Sequence, residues 1–169
     1  MAANNLLSRW AIWVDTVGKA GNAKEYTPPV LEVQTSDFQA GDMDMPIPVD
    51  EGMAAMEASF SLFGVDVSVL PLFGLRQAER TALKVRSTYT DLNGNAEDLT
   101  EELRGMITKI ERDTQDTGSQ RDKVMKVTMK LDYYKVSRAE VTLIEIDPVN
   151  HVRQLGGLDA LEQTRKMIK

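Results

Sequence analysis

The chain has 169 residues, no cysteine and a formal charge of −6, with 42% hydrophobic and 27% charged residues. The missing thiols exclude disulfides, cysteine nucleophiles and sulfur-ligated metals, which leaves packing and hydrogen bonding to hold the fold. No stretch approaches the ~18 consecutive apolar residues of a membrane helix, and the acidic balance argues against tight binding to a phosphate backbone, an affinity that comes from lysine and arginine displacing counterions.

The length fits one domain of ~100–200 residues. No low-complexity linker, internal repeat or break in composition divides it, so residues 1–169 are expected to form a single unit. Trp10 to Val14 is a short apolar run ahead of Gly18 and predicts a first strand. Pro28-Pro29 introduces Val30 to Gln34, where Leu31 and Val33 alternate with Glu32 and Gln34, a second strand. From Ser36 to Gly52 the periodicity is lost, and Gly41, Pro46, Pro48 and Gly52 act as breakers. This is a long loop or an extended hairpin tip. Met53 to Phe63 resumes strand character, and Val65 to Leu75 predicts a short apolar helix that Pro71 shortens or kinks.

Arg80 to Thr90 sorts by parity, Leu83, Val85 and Tyr89 against Lys84, Arg86 and Thr88, and ends near Asn93-Gly94, a strong hairpin signal. Lys123 to Val136 sorts equally well, Met125, Val127, Met129, Leu131 and Tyr133 against Lys126, Thr128, Lys130 and Asp132. Between them lies a segment with two readings. Leu99, Leu103, Met106, Ile107 and Ile110 fall at helical spacing behind Asp98 and Glu101, whereas the Asn93-Gly94 turn needs a partner strand and Gly105 weakens a helix. A strand over Glu140 to Asp147 stops at Pro148, Val149-Asn150 turns the chain, and His151 to Leu155 is extended again. Gly156-Gly157 then precedes a terminal helix, with Asp159 and Glu162 as an acidic capping box and Leu158, Leu161 and Ile168 on one face.

Catalytic signals are poor. His151 is the only histidine, sits at a turn and has no nearby nucleophile in sequence. Asp42, Asp44, Asp50 and Glu51 crowd one loop, but no EF-hand order is present and Pro46 and Pro48 interrupt the spacing, so they read as a solvated acidic loop. No glycine-rich run leads into Lys-Ser or Lys-Thr, and Lys123, Lys126, Lys130 and Lys135 read as a solvated strand face. No cofactor or metal is expected. Met43, Met45, Met53 and Met56 cluster instead, and the first two lie where core periodicity is absent, which points to a partner surface.

Five ordered pieces carry a resemblance: Phe38 to Pro46 with Val49 to Phe60, then Phe73-Gly74-Leu75, Leu103-Arg104-Gly105, Leu131 to Lys135, and Ile146 to Arg153 with Gly156 to Leu161. In this order and spacing the chain resembles the major tail tube proteins of contractile phages and phage-tail-like bacteriocins. The resemblance implies a mainly β, α+β fold: an antiparallel sandwich or barrel whose sheet joins its neighbours in a hexameric ring, with a long loop around 40–52 and a C-terminal helix. It also makes residues 99–112 a strand. The implied role is structural and non-enzymatic: stacked rings form a passive tube, with sheath, baseplate and tape-measure proteins as partners. DNA or ions pass through the lumen without specific binding, and the subunit itself does not insert into a membrane. The setting would be a virion tail or tail-like particle assembled in the bacterial cytoplasm; the alternative is the tube of a contractile secretion system. By the same resemblance Trp10, Trp13, Phe38, Gly41, Asp42, Met43, Asp44, Met45 and Pro46 are expected at subunit contacts.

Overall fold

The computed structural model describes residues 4–74, 79–118 and 120–169. Three long strands, β7 (Thr81–Thr90), β8 (Ala96–Arg112) and β9 (Val124–Arg138), form an antiparallel meander that carries most of the apolar alternation in the sequence. β1 (Leu6–Val14) adds to the far side of β7, and the two-residue β2 (Val17–Gly18) pairs back on it. The other side of β9 forks. Its first half pairs with β6 (Glu57–Phe63), which carries β3 (Ala23–Thr27). Its last residues pair with β10 (Val141–Asp147), followed by β11 (Val152–Leu155) and the short β12 (Leu158–Asp159).

The path β3-β6-β9-β8-β7-β1 curls on itself, so that Tyr26 of β3 and Trp10 of β1 line one cleft with Glu101 of β8. Inside lies the core: Ile12, Val14, Phe60, Leu62, Leu83, Val85, Leu103, Ile107, Met125, Val127 and Met129, each nearly or wholly buried. These are the alternate positions of strands with one solvated face, as pleating requires. Val69 is fully buried in the same core. Its loop is held by Lys19, whose buried ammonium lies 2.8 Å from Asp66 and donates a 2.5 Å bond to Ser68 Oγ. Burial works against ionisation of Asp66, but the bonds from Lys19 and Ser68 outweigh it and hold the carboxyl below its ordinary range.

Residues 99–112 lie within a 17-residue strand, not a helix. Gly105 shows why the strand needs a glycine: at the bulge between Arg104 and Gly105 a Cβ would sit 2.1 Å from the Lys130 carbonyl oxygen. Several expected boundaries change, beginning with the first strand, which was placed at Trp10 to Val14 and starts at Leu6. The strand placed at Val30 to Gln34 begins only at Val33, where pairing with Met53 starts, and Val30 remains 75% exposed. The strand placed at Met53 to Phe63 begins at Glu57, where its pairing with Lys130 starts. The helix placed at Val65 to Leu75 is one 3-10 turn, Leu70–Leu72, with Pro71 in its first turn, and Leu75 lies outside the described residues. At the C-terminus the helix α1 (Glu162–Ile168) starts after Leu161 without a side-chain cap. Leu158 is in β12, and Asp159 accepts the Leu161 N–H at 3.1 Å and pairs with Arg165, which orients the helix from outside it. The Asn93-Gly94 signal marks a wider turn over residues 91–95, in which the Asp91 carboxylate accepts the N–H groups of Asn93 and Asn95.

Candidate functional site

Between Ser36 and Gly52 the hairpin form is adopted. β4 (Val33–Phe38) and β5 (Ile47–Met53) pair with each other and with no strand of the main sheet. Every residue of β4 and most of β5 are exposed. An isolated two-stranded ribbon is marginal in water, and this one leaves Val33, Phe38, Ile47 and Val49 exposed by 41–55%. Pro48 is tolerated because β5 has no second partner on its outer side. The arm carries Asp37, Asp42, Asp44, Asp50 and Glu51 and no lysine or arginine, so it holds nearly all of the chain's net charge of −6.

The tip is ordered by its own bonds. Met43 folds back: its N–H donates to the Ala40 carbonyl at 3.1 Å, and its sulfur accepts the Ala40 N–H at 3.3 Å. Gln39 donates to the Met43 carbonyl at 3.0 Å. Met45 is 67% exposed, and Phe38, Gly41, Asp42, Asp44 and Pro46 are exposed as well. At the base, Arg153 of β11 pairs with Asp50, and the Gly52 N–H donates to the same carboxylate at 2.8 Å. These bonds keep the Asp50 carboxyl below its ordinary range. An apolar groove of about 300 Å³, lined in part by Met53, Met56, Leu131, Ile146 and Leu161, lies where the arm leaves the body.

The two tryptophans separate by parity. Trp10 packs against the core, whereas Trp13 lies on the opposite face beneath the Arg86 guanidinium, 5.4 Å from the ring centroid. Neither belongs to the arm. Beside them Leu6 and Leu7 are exposed, and the outer edge of residues 6–11 has no strand partner among the described residues. The outer edge of β3 is unpaired in the same sense.

No catalytic arrangement gathers around the expected candidates. His151 takes a left-handed backbone (φ 54°), and Arg165 donates to its carbonyl oxygen at 3.1 Å. The acidic residues of the arm do not converge: Asp50 faces Arg153, and Glu51 accepts a 2.5 Å bond from Ser36. Among the described residues no cluster of three His, Asp or Glu side chains could hold a metal ion. Two features escape sequence reading because they join distant residues, the Lys19–Asp66–Ser68 pin and the buried Glu101–Tyr134 bond.

The solved structures that this fold resembles include the sheath-tube complex of the PVC extracellular contractile injection system, at TM-score 0.60 and 12% identity over 76% of this chain and 88% of that one. The tube-terminating cap of the anti-feeding prophage matches at TM-score 0.62 and 13% identity, over 82% and 95% of the two chains. In sequence, the tail tube protein of Escherichia phage P2 is 26% identical over 172 residues, covering 99% of both chains. The major tail tube protein of Serratia phage KSP20 is 28% identical over 159 residues, 93% of this chain and 91% of the relative. The model of the phage tail tube protein FII family matches residues 4–168, arm, meander and terminal helix together, and the chain belongs to that family of structural tail tube proteins.

Proposed function

We propose that residues 1–169 act as one building block that closes into hexameric rings and stacks these rings into the inner tube of a contractile tail. The observation that carries this reading is the β4–β5 arm, a ribbon exposed on both faces with an apolar set of side chains and, among the described residues, no strand partner outside itself. Exposed edges template pairing with other chains. The outer edges of β1 and β3 offer such pairing in the plane of a ring, and the arm offers a second, different surface between rings. A contact of one surface with a different one closes in-plane and repeats along an axis, which yields a filament.

In this reading Phe38, Met45 and Pro46 of the arm tip contact an adjacent copy, Gly41, Asp42, Met43 and Asp44 shape that tip, and Trp10 and Trp13 brace the strand beside the in-plane joint. No side chain performs a chemical step. Sheath, baseplate and tape-measure proteins are the partners along the tube, DNA or ions pass through it, and assembly takes place in the bacterial cytoplasm. The likeness to an injection-system tube favours a second setting, a tail-like particle that delivers other cargo. Electron microscopy of the purified, concentrated protein tests the proposal: rings and tubes support it, dispersed monomers contradict it.

A further inference from the structure

β8 turns Leu99, Glu101, Leu103, Gly105 and Ile107 toward the interior, and Glu101 is the one charged side chain in that series. In register it stands between Val85 of β7 and Val136 of β9, with Ile12 of β1 opposite Val85, so a carboxyl occupies a row of aliphatic side chains. It is almost wholly buried. Tyr134 donates to its Oε1. That neutral donor does not supply the opposite charge with which a buried carboxylate is ordinarily paired.

The cleft beside Glu101 has the chemistry to receive a positive charge. It lies between β1 and β3 and has a volume of about 540 Å³, an ordinary size for a small-molecule site. Three aromatic side chains, Trp10, Tyr26 and Tyr89, line it with Ser87 and a second acid, Glu25, and among the described residues no lysine or arginine does. The Tyr26 hydroxyl is buried without a well-formed hydrogen bond, so its oxygen is available as an acceptor. A carboxylate beneath aromatic rings suits an organic cation, because the ring faces attract the charge and the acid neutralises it. A hard divalent metal ion would want about six oxygen ligands, and among the described residues no three acids or histidines converge.

We infer that this cleft is a binding site for a small primary alkylammonium, whose nitrogen meets Glu101 among the rings of Trp10, Tyr26 and Tyr89. A primary ammonium carries three N–H donors. The Glu101 carboxylate and the Tyr26 and Ser87 hydroxyl oxygens are acceptors in the same cleft, while Leu7 and Pro28 offer apolar surface to the alkyl chain. Burial raises the Glu101 carboxyl above its ordinary range, and a bound cation reverses that effect, since an opposite charge within ~4–6 Å favours the ionised form. The site lies within one subunit and stands independently of the tube reading.

Trp13→Phe leaves Trp10 as the sole tryptophan, so the fluorescence of dilute protein reports on the cleft. With butylammonium chloride replacing sodium chloride at constant ionic strength, a saturable change with half-saturation at about 1–10 mM is expected, and uncharged 1-butanol should bind at least about tenfold more weakly. Ligand-observed saturation-transfer NMR makes the same comparison on the unsubstituted chain. Glu101→Gln is expected to weaken butylammonium binding at least about tenfold, and Tyr26→Phe, whose hydroxyl has no well-formed bond to lose, about threefold. Asp122→Asn removes an exposed negative charge from the turn between β8 and β9 and should change nothing. Equal responses to butylammonium and 1-butanol overturn the site, as does affinity retained in Glu101→Gln, or in Tyr26→Phe where Glu101→Gln does not fold. A half-saturation that climbs with protein concentration would show a lysine of a second copy in the cleft and overturn the free-amine assignment.

Discussion

Tyr134 donates a 2.5 Å hydrogen bond to Glu101 inside the curled sheet, where the glutamate is only 7% exposed. Burial pushes the Glu101 carboxyl above its ordinary value, and the bond from Tyr134 offsets only part of that rise. The Tyr26 hydroxyl is buried close by without a well-formed hydrogen bond, and burial, with the Glu101 charge next, pushes its pKa well up.

A direction for pH dependence follows. The folded protein holds the Glu101 proton more tightly than the unfolded chain does, so this group's contribution is most favourable below the unfolded value of 4.5 and is lost as pH rises through the raised folded value. Glu101→Gln keeps an acceptor for Tyr134 and removes the titration. Denaturant unfolding in steps from pH 4.5 upward is expected to show the variant gaining on the parent protein as pH rises. A difference that stays constant with pH contradicts this. Tyr134→Phe, which strands the carboxylate, is expected to cost about 1–3 kcal/mol at neutral pH.

Gly105→Ala puts a methyl group against the Lys130 carbonyl, where an ideal Cβ lies 2.1 Å away. Both strands are central and bonded on two sides, so neither backbone can retreat cheaply. A loss on the order of 3 kcal/mol is expected in chemical denaturation. Gly41→Ala, at a tip position with open space around it, is the matched control and should change little.

Asp50→Asn breaks the ion pair with Arg153 at the base of the arm. The Asp50 carboxyl is held low mainly by the bond from Arg153, so the contact is fully present above the unfolded value of 3.8 and is lost as pH falls through the folded one. Hydrogen exchange over residues 33–53 should quicken in the variant while the protection of β7 to β9 is unchanged. Equal protection of the arm in both proteins would show that Arg153 does not hold it.

Phe38→Asp combined with Met45→Asp places two more charges on an arm that already lacks cations. Neither side chain belongs to the core. Thermal stability is therefore expected to remain within about 0.5 kcal/mol of the parent, whereas sedimentation at high concentration should show the assembly lost. Unaltered assembly would remove the arm tip from the contact.

The meander was legible because β7 keeps its alternation between buried and solvated positions and β9 does so as far as Met129; past the extra residue Asp132 the buried positions become Tyr134 and Val136, so Tyr133, expected beside Met125, Val127 and Met129, lies on the other face. The same logic failed at β8, where the alternate buried positions Glu101, Leu103, Gly105 and Ile107 include an acid and a glycine that hide the two-residue period, and the register shift between Ile107 and Lys109 moves the next apolar position to Ile110. The Asn93-Gly94 turn and its need for a partner strand gave the right element there. The arm read as aperiodic because both its faces meet solvent, so burial imposes no alternation on it. Asp159 was misplaced as a helix cap because its partner, Arg165, was invisible until β11 and β12 had positioned the turn.

Cryo-electron microscopy of concentrated, purified protein is the most direct measurement of the central claim. Stacked closed rings are expected, with the β4–β5 arm of one subunit seated on another and the edges of β1 and β3 joined to neighbours. Subunits that remain dispersed at high concentration, with the arm folded against their own body, would contradict it.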